Sequence, residues 1–285
     1  MIKLTECPRD AMQGIKDFIP TDKKVAYINQ LLKVGFNTID FGSFVSPKAI
    51  PQLQDTAAVL KQLDLSTTKS KLLAIVANTR GAQDACAFEE INYLGFPFSI
   101  SETFQQRNTN SSISESLIRV EEIQNLCIKH KKQLVVYISM AFGNPYGDVW
   151  SPEISINWCK HLQQMGIKFL PLADTIGCST PENITQLFSA LIPEFKNVEF
   201  GAHLHSTSET ALQKIAAAFW NGCRSFDVAI HGLGGCPMAA DDLTGNIATE
   251  DLDFFAHDNK MDLGLNTEEL KKSYEMSWDI FNNYH

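Results

Sequence analysis

Paired cysteines are what this sequence most conspicuously lacks. Its seven cysteines, at 7, 86, 127, 159, 178, 223 and 236, are odd in number and include no CxxC pair. That fits neither a disulfide framework nor a zinc knuckle and points to a reducing compartment. No apolar run approaches the ~20 residues that span a bilayer. No basic block interrupts a balance of 24 Lys plus Arg against 33 Asp plus Glu, a net charge of −9. A broad nucleic-acid or anionic-membrane surface is thereby excluded, and an anionic ligand requires a local basic pocket. A GxGxxG fingerprint is missing, which removes the signature of an open dinucleotide-binding sheet. Strand-like sequence begins at the first residues, leaving no room for a cleavable leader, and the terminal Asn-Asn-Tyr-His matches no short sorting or lipidation signal. A cytoplasmic protein is expected.

What is present is an ordinary globular composition, 285 residues with 44% hydrophobic and 20% charged. Short apolar runs at 2–6, 36–41, 72–77, 96–100, 134–139, 167–172, 198–203 and 224–229 read as strands. Between them, amphipathic stretches near 21–34, 49–63, 80–90, 113–130, 152–165, 181–192, 207–220 and 247–257 read as helices, with a last one near 267–282. Ser151-Pro152-Glu153 and Thr180-Pro181-Glu182 each place a hydroxyl at an N-cap, proline at N1 and an acid in the first turn. Glycines 35, 95 and 166 stand just before strands, where positive φ is expected. Eight βα units without a linker predict the α/β class and a TIM (β/α)8 barrel. One domain, 1–285, then carries a catalytic loop after strand eight and a final helical segment about 266–283 packed on it.

Such a barrel places its chemistry after the C-terminal ends of its strands. Those positions hold Arg9 and Asp10, Asp40, Asn78 and Arg80, Glu102, Asp174, His203 and His205, and then a long loop with Cys236 and Asn246. Taken singly, Asp40 or Asp174 reads equally as a helix cap, Asn78 as a turn former and Glu102 as a solvated acid. Their convergence on one face favours function. His203 and His205 are the most specific signal, because residues two apart on a strand project to the same side about 6.5–7 Å apart. Strand one neighbours strand eight, and strand seven abuts it, so Asp10, His203, His205 and Asn246 can meet around one divalent ion. Two imidazoles with oxygen donors suit Mn, Zn or Fe and also admit Mg. The glycines of 231–247 suit a loop closing over ligand, and Cys236 between Gly-Gly and proline reads as a nucleophilic or proton-transfer residue. His130, His161, His257 and His285 read as surface residues, His231 as loop packing or a substrate contact, and Cys7 as inward core.

The stretches PRDAMQ at 8–13, SFVSPKAIPQ at 43–52, SETFQQRNTNSSISES at 101–116, ADTIG at 173–177, HLH at 203–205, GLGGCP at 232–237 and GNIATED at 245–251 resemble the 3-hydroxy-3-methylglutaryl-CoA lyases of the DRE-TIM metallolyases. The resemblance runs from about residue 5 to the end. It implies retro-Claisen cleavage of 3-hydroxy-3-methylglutaryl-CoA to acetoacetate and acetyl-CoA, one divalent metal ion (Mg or Mn first, Zn also) and a homodimer. Residue by residue it implies Asp10, His203, His205 and Asn246 as ligands, Arg9 at the developing enolate and Cys236 in proton transfer. Asp40 and Asp174 join the catalytic set, and Asn78 and Glu102 the substrate contacts. Lys48, Arg80 and Arg107, which follow strands two, three and four, are the candidate partners of the CoA phosphates and read equally as solvated surface charges. The sequence departs from the family pattern at Asp40, where the family has glutamate, at Ser206 and Glu209, where it has an acid and a glycine, at Asn144 for cysteine and at Met238 for an aromatic. A related acyl-CoA, a condensing reaction on a 2-oxo acid, or a noncatalytic ligand-binding barrel are the alternatives.

Overall fold

The computed structural model describes residues 2–235 and 244–284. Eight strands, β1 (Lys3–Glu6), β2 (Thr38–Ser43), β3 (Lys71–Ile75), β4 (Ile91–Ser99), β5 (Gln133–Ser139), β6 (Phe169–Ala173), β7 (Glu199–His203) and β8 (Ser225–Val228), pair in parallel in chain order. β8 returns to β1 through the register Lys3↔Ser225 to Glu6↔Val228, and the sheet closes into the expected α/β barrel. The helices are α1 (Pro8–Gln13), α2 (Thr21–Leu31), α3 (Thr56–Leu60), α4 (Thr79–Cys86), α5 (Glu102–Thr109), α6 (Ile113–Lys129), α7 (Pro152–Gln164), α8 (Pro181–Glu194), α9 (Ala211–Trp220), α10 (Thr249–Asp258) and α11 (Thr267–Phe281). No helix among the described residues is long and apolar enough to cross a membrane.

All eight expected strands form, with shifted ends, and the two helices with predicted caps start at Pro152 and Pro181 as read. Ser151 accepts from the Ile154 N–H, and Thr180 forms a reciprocal capping box with Asn183. α11 packs on α2, with Gln30 Nε2 donating to the Glu269 carbonyl at 2.9 Å and Phe281 meeting Tyr27 edge to face. Three readings need correction. Segment 49–63 is a single turn at Pro51–Leu53 followed by the short α3, because Pro51 supplies no N–H to continue a helix from the residues before it. α1 and α5 are helices where strand-end loops were expected. Gly35 and Gly166 do take positive φ, whereas Gly95 lies inside β4, where a Cβ would stand 2.5 Å from Ile75 Cδ1. Close packing, not a turn, requires glycine there.

The main apolar core lies between the outer face of the barrel and its helices. A second, smaller cluster fills part of the lumen: Leu73, Val135 and Tyr137, backed by Ile75, Tyr93 and Phe169. Closure is reinforced by Glu6, whose Oε1 accepts from the Ile230 N–H at 2.9 Å and Oε2 from Thr249 Oγ1 at 2.6 Å, tying β1 to the segment after β8 and to α10. Burial raises its pKa from 4.5 to about 8, even though both hydrogen bonds oppose the shift. A carboxyl with a higher pKa folded than unfolded favours the fold fully below pH 4.5, and that contribution is lost as pH rises through about 8. Glu6→Gln should therefore flatten the fall in stability across this window. Urea midpoints measured from pH 4.5 to 8.5 test it, and an unaltered slope would show that Glu6 ionises freely in the fold.

Candidate active site

The C-terminal mouth of the barrel holds a cavity of about 170 Å³ lined by Arg9, Asp10, Gln13, Tyr137, His203 and His205 among others. Pro8 starts α1 immediately after β1, and the single turn that follows swings Arg9 and Asp10 over the mouth, both buried. The Arg9 guanidinium lies between two acids. Nε and Nη2 reach Asp40 Oδ2 on β2 at 2.9 and 2.5 Å, while Nη1 reaches Asp10 Oδ1 at 2.8 Å and Gln13 Oε1 at 2.9 Å. Burial pulls the Arg9 pKa down, but Asp40 and Asp10 more than reverse that effect and hold it above the ordinary arginine value.

Asp10 is the hub. Its Oδ2 accepts from Asn246 Nδ2 at 2.6 Å and its Oδ1 from Gln13 Nε2 at 2.6 Å. Burial pushes its pKa up, yet the charges of Arg9, His203 and His205 and the Asn246 amide together hold it below the ordinary aspartate value. Ligand atoms of Asp10, His203 and His205 all lie within 4.8 Å of one another. The structure brings the two HLH rings together, with centroids 5.3 Å apart.

The imidazoles are fixed by different means. His203 Nδ1 meets Asp227 Oδ2 on β8 at 3.1 Å, which orients the ring and leaves Nε2 for other use. His205 is held through its backbone: its carbonyl accepts from Lys214 Nζ at 2.7 Å, and the residue forms a β-bridge with Asn246. Neither His205 ring nitrogen has a partner although both are buried, and burial, aided by the His203 charge, lowers the His205 pKa to about 4. A buried neutral imidazole with two unsatisfied nitrogens, beside an ionised carboxylate and the unpartnered Asn246 Oδ1, is the donor set a divalent cation requires. Cys7, His203 and Asp227 form a second cluster of ligand-type atoms. It fits a cation less well: burial and the surrounding carboxylates raise the Cys7 pKa, and its thiol donates to the Thr5 carbonyl.

The two other expected catalytic carboxylates stand behind the cavity wall. Asp40 is fully buried and grips Arg9; burial, against the pull of Arg9, raises its pKa to about 6, and its Oδ1 is unpartnered. Asp174 accepts from Ser179 N–H at 3.0 Å, from Ser179 Oγ, and from Lys214 Nζ at 2.9 Å, so both of its oxygens are engaged away from the cavity that its neighbours Ala173 and Thr175 line. Asp40 thus contacts Arg9, and Asp174 contacts Ser179 and Lys214.

Two expected substrate contacts are helix caps. Asn78 Oδ1 accepts from the Gly81 N–H at 2.9 Å, and the Glu102 carboxylate accepts from the Ile113 N–H at 3.2 Å. Lys48, Arg80 and Arg107 are exposed near this mouth but do not line the cavity, and Arg107 stacks on Tyr146 at 4.6 Å. Asn144 accepts from the N–H groups of Tyr146 and Asp148 and shapes that turn, the Ser206 N–H donates to the Gly245 carbonyl, and Glu209 is exposed. Cys236 and Met238 lie outside the described residues. Sequence reasoning did not single out Gln13, Tyr137, Asp227 or Lys214. Asp227 carried a usable signal, since strand alternation puts it on the lumen face with Ser225.

The chain matches the HMGL-like family over residues 3–276 and belongs to it. It is 35% identical to a hydroxymethylglutaryl-CoA lyase of Bacillus subtilis (strain 168), covering 95% of this chain and 89% of that protein. It is 34% identical to the cytoplasmic 3-hydroxy-3-methylglutaryl-CoA lyase of Rattus norvegicus, covering 93% and 76%. An HMG-CoA lyase of Acinetobacter baumannii, solved in complex with coenzyme A and 3-methylmalate, superposes with a TM-score of 0.91 at 30% identity, over 99% of this chain and 92% of that one. Asp227 stands where a carboxylate can hold the imidazole of a metal ligand, so Asp227→Ala should weaken Mn binding by about 10–100-fold. Calorimetric titration with Mn tests this, and unchanged affinity would remove Asp227 from the cation site.

Proposed function

We propose that the protein cleaves 3-hydroxy-3-methylglutaryl-CoA to acetoacetate and acetyl-CoA with a bound divalent cation, Mg or Mn in preference to Zn. The observation that carries this reading is the meeting of Asp10, His203 and His205 beside the Arg9 guanidinium at one barrel mouth, in a chain of the HMGL-like family. Asp10, His203, His205 and Asn246 are the holders of the cation. When bound, it supplies positive charge to the substrate oxygens and makes the tertiary hydroxyl more acidic.

In the reaction the hydroxyl loses its proton, its oxygen becomes the ketone of acetoacetate, and the C2–C3 pair passes to the thioester fragment as an enolate, which is then protonated at carbon. Arg9 faces the charge that develops on the thioester oxygen, and being locked by Asp40 and Asp10 it needs no reorganisation to do so. Asp40 keeps that guanidinium aimed, Asp174 and Lys214 keep the His205 backbone in place, and Asp227 keeps His203 oriented. Proton transfer is assigned to Cys236 on the family resemblance. The CoA moiety extends over the same mouth toward the exposed Lys48, Arg80 and Arg107. That an Acinetobacter baumannii relative is in complex with coenzyme A supports an acyl-CoA substrate.

Incubation of the thioester with Mg or Mn should release acetoacetate, and folded protein that forms none with either cation would defeat the proposal. Arg9→Met should lower kcat by about 10²–10³, the cost of removing one preorganised donor to a developing oxyanion. Asp40→Asn should lower kcat in the same sense with less effect on KM, and Asp40→Glu should retain more turnover than Asp40→Asn. Equal losses in the two Asp40 variants would argue against a positioning carboxylate.

A further inference from the structure

The barrel lumen is filled unevenly. On the β3–β6 side the cluster of Leu73, Val135 and Tyr137 packs tightly, whereas β7, β8, β1 and β2 contribute Gly201, Ser225, Asp227, Thr5 and Thr38. A cavity of about 380 Å³ opens along these small and polar residues, at the end of the barrel opposite the active site. Barrels of this type usually fill the lumen with layers of bulky branched side chains, so the opening follows directly from the residues on four strands.

Its lining is graded. Lys3, Lys69 and Lys71 contribute to the wall, with Lys3 paired to Glu199. The Lys69 and Lys71 ammonium groups make no hydrogen bond or ion pair with any described residue. In a chain of net charge −9, two unpaired cations on a concave wall concentrate positive potential there. Leu73, Val135, Phe169 and Pro171 supply apolar surface, and Tyr137 and Asp227 also reach the cavity. Both of these touch His203, Asp227 through its hydrogen bond and Tyr137 edge to face at 5.5 Å, so they partition the lumen between the two mouths.

We propose that this cavity is a second ligand site, which takes a small organic carboxylate with a compact apolar body. The carboxylate pairs with Lys69 and Lys71, and the apolar body lies on Leu73, Val135 and Phe169. The Asp227 carboxyl excludes a second anionic group at the inner end. The volume falls within the roughly 300–1,000 Å³ of small-molecule pockets. The site does not depend on the lyase chemistry of the opposite mouth, and its test is a binding measurement.

Calorimetric titration of the full chain with benzoate should show one saturable site. The double substitution Lys69→Glu with Lys71→Glu should weaken binding by about tenfold or more, the loss expected for two partly desolvated ion pairs. Benzyl alcohol, of similar shape without the charge, should bind weaker by a similar factor. Gly201→Val, which builds side chain into the cavity beside Pro171, should abolish the benzoate signal. Absence of saturable benzoate binding, an affinity untouched by the double substitution, or equal binding of the alcohol would each overturn the assignment. Because Lys69 and Lys71 lie on the surface edge of the cavity, the charge-reversed variant decides the matter even if Gly201→Val does not fold.

Discussion

The contact on which the candidate site depends is the Arg9 guanidinium lodged between Asp10 and Asp40. A buried guanidinium without partners would be expelled by its desolvation cost, and a buried carboxylate without partners would take up a proton. Together they persist, and the sharing is unequal. Asp10, which faces two imidazoles as well as Arg9, is held in its charged form, while Asp40, deeper and with one oxygen unpartnered, is pushed toward neutrality. One carboxylate thereby stays charged beside the imidazoles, while the other grips the arginine. Removing any member leaves an uncompensated buried charge, so structure and chemistry cannot be separated here.

A second buried cation repeats the device outside the cavity. Lys214 reaches from α9 to Asp174, to the Gly177 carbonyl and to the His205 carbonyl, so three segments are referenced to one ammonium group. His203 is held through its ring and His205 through its main chain, which is why His205 keeps both ring nitrogens unsatisfied. At Ser206, where the sequence departs from the family's acid, the N–H bonds to the Gly245 carbonyl, and Asp227 meets His203 from β8.

The barrel was legible in the sequence because short apolar or β-branched runs recur between amphipathic stretches, and because two of the crossover helices have proline-marked starts. The imidazole pair was legible because strand periodicity fixes its geometry. α1 was not, since six residues opening on Cys-Pro are too few for a helical period to show, and α5 is polar on most faces. Asp40 and Asp174 were placed at the C-terminal end of the barrel, but their partners Arg9, Ser179 and Lys214 were not legible. A strand position tells which end a carboxylate occupies, not which cation will claim it. Asn78 and Glu102 illustrate the same limit, because the backbone N–H groups they cap are invisible until the helices exist. Lys214 could not have been found from its own helix, since its three partners come together only in the folded barrel.

Asn246 is delivered to Asp10 by main-chain pairing. The Ile247 N–H bonds to Leu204, Ala229 pairs with Ala248, and the Ser206 N–H returns to Gly245, while on the other side Asn246 Nδ2 holds the Leu233 carbonyl. The chain between positions 235 and 244 therefore leaves one anchored post and arrives at another. The amide is thereby fixed from two directions, by the segment that leaves β7 and by the segment that leaves β8, so displacement of either one would carry its nitrogen away from Asp10.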